Sequence, residues 1–251
     1  MDEHLVFFID FLGFKNAVST WEKGKMQSLI TLVRNIRAQQ TNFERRELTV
    51  EEGGNATGVN PAITAFSDSV VVSYPIKDLE KLSPRVDLIS GLFLGLKMTQ
   101  QWIGSLAVAA MKLGFLIRGG AAVGPLYHSE GVVLGQAMNE AYLLEHCVSI
   151  YPRIAVSRKI YTVVGSPDVM EDHDGIRHFD YLRSMILRSS DQEDGDLPGA
   201  GVQERRKIWL VQARMRIDEN IAQFDQKGQW KELAKWTWFR NSLEETAKEH
   251  Q

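Results

Sequence analysis

His4 to Leu12 reads HLVFFIDFL, an almost unbroken run of branched and aromatic residues. Such a run predicts a strand buried on both faces. Gly13 ends it, and Lys25 to Gln40 then places Met26, Leu29, Ile30, Val33 and Ile36 on one stripe, the pattern of an amphipathic helix. Working outward, Glu51 to Asn60 is a polar loop, and Pro61 to Phe66 with Val70 to Tyr74 make two strands around the polar tip Ser67-Asp68-Ser69. Val86 to Leu113 carries a long helical pattern. Phe115 to Val123 is a strand containing Gly119 and Gly120, turned at Gly124-Pro125. A short strand near Val132 to Leu134, a helix over Gln136 to Val148, a strand at Arg153 to Ser157 and a helix over Arg158 to Val164 complete this part. Strands and helices interspersed in this order predict an α+β fold, with an antiparallel or mixed sheet covered by helices.

Ser189 to Gly201 (SSDQEDGDLPGAG) is acidic and rich in turn formers, and Gln203 to Gln251 beyond it is charged and helical. The expected division is therefore a main domain over 1–188, an acidic loop over 189–201, and helices over 202–251 that pack on the domain or on a dimer. Trp209, Met215, Ile217, Ile221 and Phe224 supply one apolar face of those helices, and Trp230, Trp236, Trp238 and Phe239 another.

Composition excludes several classes. The 251 residues carry 29 Lys and Arg against 32 Asp and Glu, a net charge of −3 that offers no general attraction to nucleic acid or an anionic membrane. The single cysteine, Cys147, can form neither an internal disulfide nor a cysteine-based zinc site. The opening Met1-Asp2-Glu3-His4 is acidic where a secretory leader is basic. The most apolar stretch, Leu88 to Val123, is interrupted by Lys97, Lys112 and Arg118. A cytoplasmic protein is expected. No P-loop, GxGxxG or Ser-His-Asp pattern is present, and one RGG inside an apolar strand is no RNA signal.

Two carboxylates stand out. Asp10 sits inside an apolar strand, where an unpaired charge is costly to desolvate. It reads either as a strand-end acceptor of backbone N–H groups or as a ligand to a hard divalent cation. Asp68 alone is a turn former. Brought beside Asp10 it would repel it unless a proton or a metal lay between them, and paired carboxylates holding two ions are what in-line displacement at phosphorus needs. Phe11-Leu12-Gly13-Phe14, a strand-to-helix corner, can offer backbone N–H groups to a triphosphate. Asn139 reads as an exposed helix residue or a cap.

Together these segments resemble the class III nucleotide cyclases. Phe8-Ile9-Asp10-Phe11-Leu12-Gly13-Phe14 is similar to their F-x-D-x-x-G-F opening, and Ala65-Phe66-Ser67-Asp68-Ser69 to the hairpin bearing their second metal-binding Asp. Ile117-Arg118-Gly119-Gly120-Ala121-Ala122-Val123-Gly124 resembles the R-x-G-I-x-x-G strand, and Gly135 to Ala141 the G-x-x-x-N-x-A helix start. The resemblance runs from Leu5 to Val164. It implies a ferredoxin-like catalytic domain in a homodimer with sites at the interface. Asp10, Asp68 and the Phe11 carbonyl would hold two Mg²⁺ or Mn²⁺ ions, amides of Phe11, Leu12, Gly13 and Phe14 the triphosphate, and Asn139 of the second protomer the ribose. The family's transition-state arginine is replaced by Leu143, with Tyr142 or an arginine from another strand as its substitute. Its triphosphate lysine is matched weakly by Arg177. Thr64 and Val132 stand where the family reads purines with charged or polar groups. This altered set looks like the Pycsar pyrimidine cyclases of bacterial anti-phage defence, which implies UTP as substrate, cyclic UMP and pyrophosphate as products, and a downstream effector that binds the cyclic nucleotide. Cytidylate cyclase, adenylate cyclase and an inactive nucleotide-binding homologue are the alternatives, and neither nucleic acid nor membrane is expected as a partner.

Overall fold

A computed structural model of the chain describes residues 1–14, 24, 27–28, 30–36, 61–82, 87–164, 168–189 and 201–249. The strand β1 (Asp2–Leu12) lies at the centre of a mixed sheet. Residues 30–36 are helical, and β2 (Ala62–Phe66) and β3 (Ser69–Pro75) form the hairpin. Two helices follow, α1 (Ile76–Leu82) and α2 (Leu88–Lys112), before the long strand β4 (Leu116–Ser129) and the short β5 (Val132–Gly135). Helix α3 (Gln136–Leu143) runs into a π-helical turn at Leu144–Val148. Then come β6 (Ile154–Val156), α4 (Arg158–Val164), β7 (Val169–Glu171), β8 (Arg177–Phe179) and α5 (Tyr181–Ser189). Two long helices, α6 (Val202–Gln226) and α7 (Trp230–Glu249), close the description.

The sheet order is β2-β3-β1-β4-β6-β8-β7, with β5 paired to β4. Within it β2, β3, β1 and β4 are antiparallel neighbours, the 2-3-1-4 order of a ferredoxin-like unit, and β6 adds in parallel to β4. The fold is α+β, as the segment order predicts. Four elements were not read in the sequence: α1, the hairpin strands β7 and β8, and α5. The polar loop over 51–60 and most of the acidic segment between 189 and 201 lie outside the described residues, as does part of the helix expected over 25–40.

Alternation along β1 divides its side chains between two faces. Leu5, Phe7, Ile9 and Phe11 enter the main core with Val70, Val72, Leu96, Ile103 and Phe179. Burial of each such side chain contributes roughly 1.5–3 kcal/mol. Trp209, Ile217, Trp236, Phe239 and Leu243 of α6 and α7 belong to this same core, so the C-terminal helices complete the domain. Val6 and Phe8 face the other way, against Val71, Ala122, Leu126, Ala137 and Ala141. Here α3 lies directly on the strands, which explains the small residues after Arg118. A Cβ on Gly120 would stand 2.0 Å from the Ala141 carbonyl oxygen and 2.7 Å from Leu144 Cβ.

Candidate active site

Asp10 has the same parity as Val6 and Phe8, so it opens on the α3 face at the end of β1. Its register partner on β3 is Ser69, next to the hairpin tip, and the Phe11 amide donates to the Asp68 carbonyl oxygen at 2.9 Å. Two acids 58 positions apart in sequence are thereby held at one strand end, close enough for the Asp68 charge to act on Asp10. Burial pushes the Asp10 carboxyl above the usual carboxylate range, Arg118 pulls it back, and Asp68 adds to the rise.

Arg118 is Asp10's register partner on β4, and its Nε donates to Asp10 Oδ2 at 3.1 Å. Its Nη2 meets Glu145 Oε1 at 2.5 Å, and its Nη1 donates to the Ser149 carbonyl oxygen at 3.3 Å. Glu145 is 3% exposed, and burial, the foremost cause, raises its carboxyl while Arg118 opposes the rise. The guanidinium thus spans two desolvated carboxylates. Sequence reading missed both residues in this role. For Glu145 a signal existed: Ala137, Ala141 and Glu145 follow at i, i+4 and i+8 on one helical stripe. For Arg118 the signal was the strand pairing itself.

The other expected site residues separate into two groups. At the β1 corner, Gly13 takes φ +97°, a turn that suits glycine, and Phe14 begins a helical turn. The Phe11 amide is already committed to Asp68, and Leu12 is the last residue of β1 in register with β4, opposite Leu116. Thr64 is joined to the end of β4: His128 Nε2 lies 2.8 Å from Thr64 Oγ1 and its Nδ1 2.8 Å from Ser73 Oγ. Burial holds His128 down to about 4, so it is neutral near neutral pH. Val132 is exposed on β5, opposite Ser129.

The remaining positions do not converge on Asp10 within the chain. Asn139 is exposed on α3. Leu143 is 55% exposed. The Tyr142 ring packs edge-on to Phe8 at 5.6 Å and stacks on His146, so it is braced two residues from Asp10 on the same face. Arg177 stands apart from the Asp10 cluster within the chain. It lies on β8, three strands from β1, where it donates to Glu171 Oε2 at 3.0 Å and covers the Tyr161 ring at 4.4 Å. Within the chain its guanidinium is engaged there rather than at Asp10.

The donor set fits a hard divalent cation in one specific way. Among the described residues no group of three or more His, Cys, Asp or Glu side chains could form a closed metal cage. Magnesium, however, is commonly held by one or two carboxylates with substrate phosphates and water. Oδ1 of Asp10 and the Asp68 carboxylate have no hydrogen-bonding partner among the described residues, and the two acids repel each other. A cation bound between them with a phosphate would relieve that repulsion.

No protein-family model matches the sequence, and no curated protein sequence matches it. Two solved structures of a bacterial light-regulated adenylyl cyclase are similar to it at 12% and 14% identity, with TM-scores of 0.35 and 0.34. The match covers 82% of this chain and 56% of each of those, so the chain spans little more than half their length. No helix among the described residues is long and apolar enough to cross a membrane.

Proposed function

We propose that the chain is a divalent-metal-dependent nucleotide cyclase acting on a pyrimidine nucleoside triphosphate, UTP by preference, as a homodimer. The observation that carries this reading is the convergence of Asp10 and Asp68 at the end of β1, tied by the Phe11–Asp68 backbone bond and flanked by Arg118. Asp10, Asp68 and the Phe11 carbonyl would hold the ions, which supply charge neutralisation and an acidified substrate hydroxyl when bound.

In the reaction the ribose 3′ oxygen bonds to the α-phosphorus, the bond from that phosphorus to the bridging oxygen breaks, and pyrophosphate leaves with the hydroxyl proton released. This chain would contribute backbone amides at the β1 corner, around Gly13 and Phe14, which donate to phosphate oxygens, and the Arg118 guanidinium, which offsets negative charge beside Asp10. Asn139 of the second protomer would orient the ribose. The pyrimidine preference rests on Thr64 and Val132. A hydroxyl paired to a neutral imidazole and an exposed valine provide no charged partner for a purine edge, and discrimination needs paired polar groups. By the same resemblance, the product would act as a second messenger for an effector in anti-phage defence.

The test is incubation of the purified protein with each of the four nucleoside triphosphates and Mn²⁺, with product separation. Cyclic UMP, or cyclic CMP, is expected, and its formation should vanish in Asp10→Ala and in Asp68→Ala without unfolding. Product from ATP or GTP alone would remove the pyrimidine assignment. Exposed Leu143, where the resembled enzymes carry a catalytic arginine, favours one second reading: a homologue that binds nucleotide without turning it over. Tight binding with no cyclic product from any nucleotide would select that reading.

A further inference from the structure

Helices α6 and α7 enclose a groove that the Asp10 cluster does not use. Two ion pairs cross between them, Arg214 Nη2 to Glu244 Oε1 at 2.7 Å and Arg240 Nη1 to Asp218 Oδ1 at 3.2 Å. Four residues forward on α6 therefore match four residues back on α7, and the helices run antiparallel in one register. That register sets Lys248 across from Leu210, with Lys207 nearly one turn further out. Between the helices lies a cavity of about 390 Å³, within the range of small-molecule sites. Its floor is apolar and sunken: Ile217, Leu243 and Ala247 are 0%, 4% and 8% exposed. Val211 forms an exposed part of the wall.

Charge and shape together select the occupant. Four basic side chains line the cavity against a single acid, Glu244. Arg214 and Arg240 are each matched by an acid across the groove, whereas Lys207 and Lys248, at its outer end, have no ion-pair partner among the described residues. The groove is thus neutralised along its length and positive at one end. A second copy meeting it through the same face would set these lysines against their own counterparts. A flat bilayer surface does not reach a floor recessed between two helices, and a partner helix, about 10–12 Å across, would ride above that floor rather than fill it. A single alkyl chain is narrow enough to lie along it. Each CH₂ withdrawn from water there tightens binding by up to about fourfold, and an anionic head at the end of the chain meets the two lysines.

We propose that the α6–α7 groove binds a single-chain anionic amphiphile, a fatty-acid-like carboxylate whose tail lies over Ile217, Leu243 and Ala247 and whose head is held by Lys207 and Lys248. None of these residues belongs to the Asp10 cluster, so the site stands apart from the cyclase reading. The test is titration of the full chain with dodecanoate below its micelle concentration, by calorimetry, beside dodecyltrimethylammonium, which carries the same tail under the opposite charge. Saturable binding of one dodecanoate per chain is expected, about tenfold or more tighter than that of the cation. Two exposed charge contacts together supply about a factor of ten, so Lys207→Gln combined with Lys248→Gln should weaken dodecanoate by that amount, and the double Arg variant should restore most of it. Val211→Asp, which puts a carboxylate in the wall, should weaken it further. The double Gln variant carries the test if Val211→Asp fails to fold. Undiminished affinity in both variants, equal binding of the two amphiphiles, or no saturable binding of dodecanoate would overturn the site. Two other occupants would also overturn it if found in place of dodecanoate: phosphatidylglycerol vesicles that carry the protein down on sedimentation, or a second copy, seen as self-association in analytical ultracentrifugation that Val211→Asp abolishes.

Discussion

Replacing Arg118 by Met keeps a long apolar stem and removes the charge that spans Asp10 and Glu145. The Asp10 and Glu145 side chains are 17% and 4% exposed, against 22% for Arg118, so both acids lose their partner in a largely dry setting. Breaking a buried pair typically costs roughly 3–5 kcal/mol, and the residual exposure of Asp10 places the expected loss near the lower figure, about 3 kcal/mol. For a chain of this size that is a fall in Tm of roughly 10 °C. The pH dependence has a definite sign. Without Arg118, burial raises both carboxyls in the folded state above their unfolded values. Such groups favour the folded state below the unfolded carboxylate range and lose that contribution as pH climbs through the folded values. The deficit of Arg118→Met against wild type should therefore be widest near neutrality and shrink on acidification toward about pH 4. Adding Glu145→Gln should recover part of it, because one of the two stranded charges is gone. Urea denaturation at several pH values measures all of this. A neutral-pH deficit under about 1 kcal/mol, or one that does not narrow in acid, would refute the bridging role.

Three further outcomes are expected. Gly120→Ala should destabilise by about 2–3 kcal/mol in urea denaturation, since its methyl would overlap the Ala141 carbonyl and force α3 off the sheet. His128, neutral in the fold and held down to about 4 by burial with His4 adding to the effect, takes up protons more readily when unfolded. Stability should thus be full above pH 6.5 and decline by about 1–2 kcal/mol, after allowance for solvent access, toward pH 4; His128→Gln should remove that slope. Leu143→Arg, at an exposed helical position, should change stability by less than about 0.5 kcal/mol and raise the rate of cyclic-nucleotide formation about tenfold or more. An unaltered rate would place that position away from the reacting phosphate.

What could be read from the sequence was what periodicity and local chemistry encode. The run through Phe7, Phe8 and Ile9, the polar hairpin tip and the long α2 pattern each specify an element on their own. Asp10 was conspicuous because a lone acid in an apolar strand conflicts with its surroundings. Pairing is another matter. That Asp10 stands opposite Arg118, 108 positions later, depends on strand register, which no local pattern announces. Arg177 shows the converse: a basic residue in a suitable place in the chain was carried to the far side of β6 and satisfied by Glu171. Strands β7 and β8, of three residues each, are too short to show alternation.

The placement of Asp10 has a consequence for how the sheet finds its alignment. Because successive side chains on a strand alternate, sliding β1 by a single position against β3 and β4 would swing the acid into the layer now filled by Ile9 and Phe11, among phenylalanines and leucines. No cation reaches that layer from β4, where the inward neighbours are Ile117 and Ala121. The carboxylate thus works as a proofreading mark for β-sheet assembly: a misaligned strand would bury a naked charge, so the arrangement that builds the site is also the one in which the chain can settle.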